Sequence, residues 1–249
     1  MGCSRADEPP PAALACLARH YVGTPTRDAR GRWSLVLPDG SALPYDDGRP
    51  KTFDEALADP DVEDALRIPY RRGPIVPVTT ADDDPGRVRL DALFKATYGA
   101  SASAVSRRLE PLRLAGSPLT VHPRAKAAFE RVAARVDRLL ADDPSLARYF
   151  ARLGGTFRWR PIAGTSRQSA HSYGVSLDLD PAHGHYWRDA PGGVISWKNA
   201  IPQAIVDAFE AEGFIWGGRW YHHDTMHFEY RPELFDPACV PVPAPGNRE

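Results

Sequence analysis

The stretch that decides the fold is residues 169–180, with the sequence SAHSYGVSLDLD. After Gly174, apolar and polar residues alternate, which predicts a short strand with one apolar and one polar face. Asp178 lies on the polar face of this strand, and His171 lies in the loop that leads into it. The stretch therefore predicts a half-buried strand that carries a carboxylate, next to a loop that carries an imidazole.

Two further stretches alternate in the same way. Residues 226–231, MHFEYR, predict a strand with His227 and Glu229 on one face. Residues 156–160, TFRWR, predict a half-buried strand with its two arginines opposite its two aromatic residues. Because these strands do not follow an alternating strand–helix order, they favour an antiparallel sheet.

Helical periodicity and helix-boundary residues predict helices around these strands and in the first half of the chain. The longest covers residues 123–140, where the apolar side chains fall on one stripe. Shorter helices are predicted at 12–20, 88–99, 143–155 and 201–213, after a capping box at Thr52 and Glu55, and a β-hairpin is predicted at 32–45. The predicted fold class is α+β: a small antiparallel sheet with helices packed on one side, plus a loop-rich N-terminal region.

Composition excludes several classes of protein. Lys and Arg total 31 and Asp and Glu total 32, so the net charge is −1, without the basic excess that binding to nucleic acid requires. Hydrophobic residues make up 43% of the chain, which is enough to build a core. No apolar run approaches the ~20 residues of a membrane-spanning helix. We therefore expect no nucleic-acid partner and no transmembrane segment.

The three cysteines, Cys3, Cys16 and Cys239, are far apart and form no CxxC pair, which argues against a thiolate zinc site. Cys16 and Cys239 form a disulfide if the protein is exported, or remain two buried thiols if it is not. Cys3 is a candidate lipid anchor, because a lipoprotein whose signal had been replaced by Met1-Gly2 would begin in this way.

Six of the eight histidines lie between residues 171 and 227, among several aspartates. His171 with Asp178, and Asp224 with His227, supply two imidazoles and carboxylates at the ends of two predicted strands. Two imidazoles and one carboxylate suit Zn²⁺ and leave a fourth position open for water, as in catalytic zinc sites. The alternative is that these are ordinary hydrogen-bonded or solvated side chains. The remaining histidines of the cluster have no partner at matching spacing: His183, His185, His222 and His223.

Two separated segments resemble one family of enzymes. Residues 169–178, SAHSYGVSLD, resemble the SxHxxGxAxD signature of the zinc D-Ala-D-Ala carboxypeptidases and L-Ala-D-Glu peptidases, the M15 peptidases. Residues 213–229 resemble the same family's closing GFxWGGxW…DxxHFE segment. The resemblance covers about residues 155–235 and implies a Hedgehog/DD-peptidase-like fold, in which Ser176 replaces the usual alanine.

The resemblance also implies roles for individual residues. The zinc ligands would be His171, Asp178 and His227, and Asp224 would be the general base that accepts a proton from the attacking water. An arginine upstream of the signature steadies the substrate carbonyl in this family, and Arg160 is our choice for that role over the neighbouring arginines. Candidate substrate contacts are Ser169, Tyr173, Trp216 and Trp220, although the tryptophans are equally suited to the core.

The function implied by the resemblance is zinc-dependent hydrolysis of an amide bond in the stem peptides of peptidoglycan, and aspartate at position 224 favours the L-Ala-D-Glu branch. Export to the periplasm or cell wall is implied by that substrate. The alternative is a non-catalytic binding module on the same zinc scaffold. The expected organisation is a disordered tail at 1–11, an N-terminal helical and hairpin region at 12–112 that packs on the catalytic part, a zinc peptidase domain at 113–240 and a tail at 241–249.

Overall fold

A computed structural model describes residues 8–239, which form two compact units. Within the described residues, the first unit comprises 8–70, 85–97 and 233–239, and the second comprises 71–84 and 98–232. Helices and small antiparallel sheets occur in both, so the predicted α+β class is confirmed. The domains expected from the sequence, an N-terminal region at 12–112 and a peptidase domain at 113–240, were defined by their expected functions. These limits stay a prediction.

The first unit contains a three-stranded antiparallel sheet in the order β1-β2-β3. Its second and third strands pair around Pro38-Asp39-Gly40, which confirms the predicted hairpin. Thr52 and Glu55 form the predicted capping box at the start of a short helix. The elements are α1 (Ala12–His20), β1 (Thr24–Arg27), β2 (Trp33–Val36), β3 (Ala42–Pro44), α2 (Phe53–Ala58), α3 (Val62–Leu66) and α4 (Asp91–Tyr98). The last residue of α4, Tyr98, is counted with the second unit.

The first unit contains one long-range crosslink and one buried group of charges. The sulfur atoms of Cys16 and Cys239 are bonded to each other, so the structure has the disulfide rather than two free thiols. The ammonium group of Lys51, which is 3% exposed, lies 2.8 Å from a carboxylate oxygen of Asp47, 3.4 Å from one of Asp61 and 2.6 Å from one of Asp64. One buried cation is thus shared by the three carboxylates of this group, which we call the Lys51 cluster.

The second unit holds the strands predicted around the histidines. They form an antiparallel sheet in the order β6-β8-β7, with Asp178 directly opposite His227. The elements are α5 (Ala102–Ser106), β4 (Glu110–Leu114), β5 (Ser117–Val121), α6 (Pro123–Asp142), β6 (Ser176–Asp178), α7 (Gln203–Glu210), β7 (Phe214–Trp216) and β8 (His227–Tyr230).

The core of the second unit forms where α6 and α7 cover this sheet. The apolar stripe of α6 is buried, and its Phe129 meets Phe214 of β7 at 4.6 Å between ring centroids. Phe209 of α7 stacks on Phe228 of β8 at 4.1 Å. Because these aromatic side chains are fully buried, they fix the sheet beneath the polar edge that carries the histidines.

Two predicted elements differ from the structure. Residues 156–160 are not a strand, because their backbone partner is a turn: Arg158 donates its N–H to the carbonyl of His171, and Arg160 donates its N–H to the hydroxyl of Ser172. The helix predicted at 143–155 is a 3-10 helix that covers only Pro144–Phe150. Its start is as predicted, since Asp143 caps it and Pro144 is its first residue.

Some predictions fall outside the described residues. The lipid anchor at Cys3, the tail at 241–249 and most of the tail at 1–11 lie there, and residues 8–11 have no regular secondary structure. In the part of the chain from 8 to 239, no helix combines the length and the apolar character needed to cross a membrane.

Candidate metal centre

Three side chains predicted from the sequence converge in the second unit. The Nε2 atom of His171 lies 3.1 Å from Oδ1 of Asp178 and 3.2 Å from Nδ1 of His227. The Nδ1 atom of His227 lies 2.8 Å from the same carboxylate oxygen. Three donor atoms therefore form a nearly equilateral triangle, although they come from positions up to 56 residues apart.

Local structure explains this convergence. The pairing of β6 with β8 sets Asp178 opposite His227. His171 comes from a 3-10 helix, Ala170–Tyr173, which ends at Gly174 in the left-handed region with φ +65°. A side chain at Gly174 would also collide with Leu109, so glycine is required there both for its backbone angle and for the close approach. The glycine turns the chain into β6 and leaves His171 beside the strand pair.

The donor triangle fits a divalent metal ion. A tetrahedral zinc ion with bonds of about 2.0–2.2 Å holds its ligand atoms about 3.3–3.6 Å apart, so the edges of this triangle need to lengthen by less than about 1 Å. Two imidazole nitrogens and one carboxylate oxygen are donors that zinc prefers. The side chain of Asp178 is 21% exposed, whereas that of His171 is 6% exposed.

The charges in this cluster compensate one another. The imidazoles of His171 and His227 hold the pKa of Asp178 well below its usual range, although burial opposes this shift. Burial lowers the pKa of His227, but its contacts with Asp178 and Glu229 outweigh that effect and raise the pKa to about 10. A proton thus carries the positive charge on His227, and a divalent cation would compete with it for the lone pair of Nδ1.

The far side of the His227 ring is supported by a second pair of charges. Its Nε2 atom lies 3.6 Å from a carboxylate oxygen of Glu229, and the other oxygen of Glu229 accepts a hydrogen bond of 3.3 Å from Arg231. Both side chains are almost completely buried. A carboxylate behind a ligating histidine keeps the proton on the outer nitrogen and leaves the inner one free to bind metal.

Asp224 lies next to the triangle. Its carbonyl accepts the N–H of His227, and its own N–H donates to the carbonyl of Gly217 at 3.0 Å. Its negative charge contributes to the raised pKa of His227. A side chain at position 217 would collide with the carbonyl of Asp224, so the two glycines before Arg219 serve close packing as well as a turn.

Arg160 is anchored through its backbone to the segment that carries His171. Its carbonyl accepts the N–H of Ser169 at 3.0 Å, and its N–H donates to Ser172. Its half-buried guanidinium group donates to the carbonyl of Pro161 at 3.4 Å. The backbone of Arg160 is therefore fixed near the site, while its side chain contacts a backbone carbonyl rather than the triangle.

The three aromatic candidates, Tyr173, Trp216 and Trp220, are all buried. Tyr173 and Trp216 are completely buried, and the indole N–H of Trp216 donates to the carbonyl of Thr225 at 2.8 Å. Trp220 lies with its ring centroid 5.8 Å from that of His227. Tyr173 and Trp216 therefore belong to the buried core of the second unit. Trp220 packs beside His227, one of the proposed metal ligands.

The other histidines of the sequence cluster contact different partners. His183 packs against Tyr149 at 4.9 Å, and His222 binds Asp84 through Nδ1 at 2.5 Å. His223 is buried, which lowers its pKa. His185 contributes its backbone, which pairs with Thr225.

Two other groups of residues bring possible metal ligands together within the described part of the chain. One contains Cys16 and Cys239, whose sulfur atoms are bonded to each other. The other contains Asp47 and Asp61, which already share the ammonium group of Lys51. The triangle in the second unit differs from both groups, because none of its three donors is bonded to another sulfur atom or shares a lysine ammonium group.

Sequence reasoning assigned no role to Glu229 or to Asp84. For Glu229 a signal existed, because its position two residues after His227 places both side chains on one face of a strand. For Asp84, which lies 138 residues before His222, no spacing in the sequence could have shown the contact.

Comparison with known proteins matches residues 163–230 to the model of the D-alanyl-D-alanine carboxypeptidase family. A search of curated proteins and a search of solved structures found no match. The family match confirms the resemblance to M15 peptidases over this segment, which contains the triangle and Asp224. It supports a peptidase of carboxypeptidase type and therefore a peptide substrate.

Proposed function

We propose that this protein is a zinc peptidase that hydrolyses an amide bond in the stem peptides of peptidoglycan, as a carboxypeptidase or an endopeptidase, outside the cytoplasm. The observation that carries the proposal is the triangle of His171, Asp178 and His227 with Asp224 beside it, within the segment that matches the carboxypeptidase family. The peptide bond at D-Ala-D-Ala and that at L-Ala-D-Glu are the two candidate sites of cleavage.

The residues of the site would share the work as follows. His171, Asp178 and His227 would hold Zn²⁺, which when bound supplies a Lewis acid for the carbonyl group and makes water more acidic. Asp224 would accept the proton of the attacking water and return it to the leaving amine. The Arg160 guanidinium would turn from the Pro161 carbonyl towards the substrate and stabilise the developing oxyanion.

The alternative function is a zinc-containing binding module without catalysis. Asp224 distinguishes the two, because a structural zinc site has no use for a carboxylate that is placed beside the ligands without being one of them. If the module were purely structural, replacing Asp224 would change neither zinc content nor any reaction.

The first experiment measures zinc and hydrolysis in the same preparation. Purified protein is analysed for bound metal and incubated with muropeptides that contain both bonds, with and without a chelator, and the products are identified by mass. We expect one zinc ion per chain, cleavage at one of the two bonds, loss of cleavage with the chelator and recovery when zinc is restored. Stoichiometric zinc without any cleavage would favour the binding module.

The second experiment separates the general base from the ligands. We expect Asp224→Asn to keep one zinc ion per chain and to lower kcat by about 10²–10⁴-fold, which is the usual contribution of general acid–base catalysis. Asp180→Asn is the matched control, because its carboxylate contacts Arg152 and the N–H of Ala182. Near-normal turnover in Asp224→Asn would exclude the proposed base.

A further inference from the structure

The loop that carries Asp224 is bound by a segment far away in the sequence. Residues 71–84 belong to the second unit, and two consecutive residues at their end contact two consecutive residues of the loop. The carbonyl of Asp83 accepts the N–H of Tyr221 at 3.0 Å, and Oδ1 of Asp84 accepts the N–H of His222 at 2.9 Å. The other carboxylate oxygen of Asp84 lies 2.5 Å from Nδ1 of the His222 ring.

Burial makes this contact specific. The Asp84 side chain is completely buried, whereas the His222 side chain is 20% exposed. A buried carboxylate is tolerated only where hydrogen bonds replace the water that it has lost, so the two bonds to His222 fix both partners. The His222 ring also meets the edge of Trp187 at 4.7 Å. His222 is therefore held by three contacts: its N–H and its Nδ1 atom bind Asp84, and its ring packs against Trp187.

The opposite side of the loop is held by residues 185–187. The N–H of Trp187 donates to the carbonyl of His223 at 2.9 Å, and the N–H of Thr225 donates to the carbonyl of His185 at 3.0 Å. Asp224 thus lies between two anchored neighbours. These bonds hold the backbone on both sides of Asp224, and the contacts made by Asp83 and Asp84 come from outside the segment matched by the family model.

We propose that Asp84 is a positioning residue that acts through His222 to aim the carboxylate of Asp224, an inference that rests on the proposed function. A general base must lie within hydrogen-bond reach of the proton that it removes, so a shift of the loop by a fraction of an ångström lowers turnover without removing the base. The metal ligands come from β6, β8 and the turn at 170–173, whereas Asp84 binds His222 in the loop, so zinc binding should not depend on it.

The test compares Asp84→Ala with Asp84→Asn in the full-length protein. We expect Asp84→Ala to lower kcat by roughly 10- to 100-fold, as replacement of a supporting residue usually does, with KM and zinc content nearly unchanged. We expect Asp84→Asn to recover most of the loss, because its amide can still accept from the His222 N–H and donate to the ring nitrogen. Asp83→Ala is the matched control, since Asp83 contacts the loop through its carbonyl.

A second pair of variants covers the case in which Asp84→Ala does not fold. The His222 side chain is partly exposed, so His222→Ala should fold, and it should show the same loss of kcat. His222→Asn should recover activity, because its amide nitrogen can take the place of Nδ1 towards Asp84.

A double-mutant cycle distinguishes positioning from a general structural role. In the Asp224→Asn background, the Asp84→Ala change should cost less than about twofold, because there is no base left to aim. An equal loss in both backgrounds, a loss of zinc together with activity, or full activity of Asp84→Ala and His222→Ala would overturn the inference. Absence of zinc-dependent cleavage by the unaltered protein would instead refute the proposed function itself.

Discussion

The two units of this protein each bury a cluster of charged groups, and the clusters differ in where their positive charge comes from. In the first unit the Lys51 cluster contains its own cation, which lies within 3.4 Å of three carboxylates. In the second unit the partners of the Asp178 carboxylate among the described residues are the imidazoles of His171 and His227, a type of side chain that can exchange a proton for a metal ion. A permanent ammonium makes a structural cluster, and exchangeable protons make a candidate metal centre.

The comparison explains why acidic residues near one another are a weak sign of a metal site. The carboxylates of Asp47 and Asp61 lie close enough together to bind one metal ion. However, the ammonium group of Lys51 already lies between them: it is 3% exposed, and its contacts with carboxylates raise its pKa although burial opposes this shift. A metal ion would have to displace an ammonium group that the chain itself supplies. At the triangle, zinc would displace only protons, which the solvent takes up at neutral pH.

The largest effect should follow from removing a donor of the triangle. We expect Asp178→Asn to lose stoichiometric zinc and to lower activity by about a thousandfold or more, because the Lewis acid contributes several kcal/mol to stabilisation of the transition state. Zinc per chain and kcat are the measurements. If this variant kept one tightly bound zinc ion, the triangle would not be the metal centre.

The second expected effect is on stability rather than on chemistry. Lys51→Met leaves three carboxylates without their buried cation, which should lower the free energy of unfolding by about 3 kcal/mol or more. Zinc content should not change. Urea denaturation measures the difference, and Lys126→Met is the control, since the ion pair of Lys126 with Glu110 is exposed to solvent and should contribute little to stability.

The difference between the units also shows what a sequence can predict. The strands β6 and β8 were visible because polar and apolar residues alternate along each of them, and this placed Asp178 and His227 on strands that prove to be neighbours. The amphipathic stripe of α6 and the capping box at Thr52 are local patterns of the same kind. For the site, these patterns gave the ligand types, and the family motifs supplied their roles.

Contacts between distant segments were beyond the reach of such patterns. Residues 156–160 alternate like a strand, but alternation says nothing about the partner, which is the turn at 169–172. The contact of Asp84 with His222 depends on a loop path across the unit. The bond between Cys16 and Cys239 requires the fold to bring together two segments that are 223 residues apart in sequence. Two isolated cysteines do not show whether the fold does this.

His122 is a buried histidine whose charged neighbours are mainly cations, so it can be compared with His227 to show how neighbouring carboxylates raise the pKa of a buried imidazole. Burial, helped by the nearby cations Arg108 and Arg124, lowers the pKa of His122 to about 4, whereas the carboxylates around His227 raise the pKa of that residue. His122 caps α6 by accepting the N–H of Arg124 at 3.2 Å. The imidazole of His122 is therefore uncharged in the folded protein at neutral pH, and its Nδ1 atom needs to be unprotonated to accept this hydrogen bond.

This shift predicts loss of stability in acid. Above pH ~6.5 His122 is neutral in both states, and between pH ~6.5 and ~4 only the unfolded chain takes up the proton, so the stabilisation falls by about 3 kcal/mol in total. His122→Asn keeps a capping oxygen and does not titrate, so its unfolding free energy should depend less on pH in that window. Parallel pH profiles for the two proteins would contradict the assignment.

The smallest effect should come from the carboxylate behind His227. Glu229→Gln keeps an oxygen for Arg231 but removes the charge that holds a proton on the outer nitrogen of the ring, so we expect the affinity for zinc to fall roughly 10- to 100-fold. Competition with a chromogenic chelator measures that affinity. Glu212→Gln, in an ion pair with Arg131 and Arg135, is the control and should leave it unchanged. An effect as large as that of Asp178→Asn would mean that Glu229 is itself a ligand, and no effect would mean that the triangle alone fixes the ring.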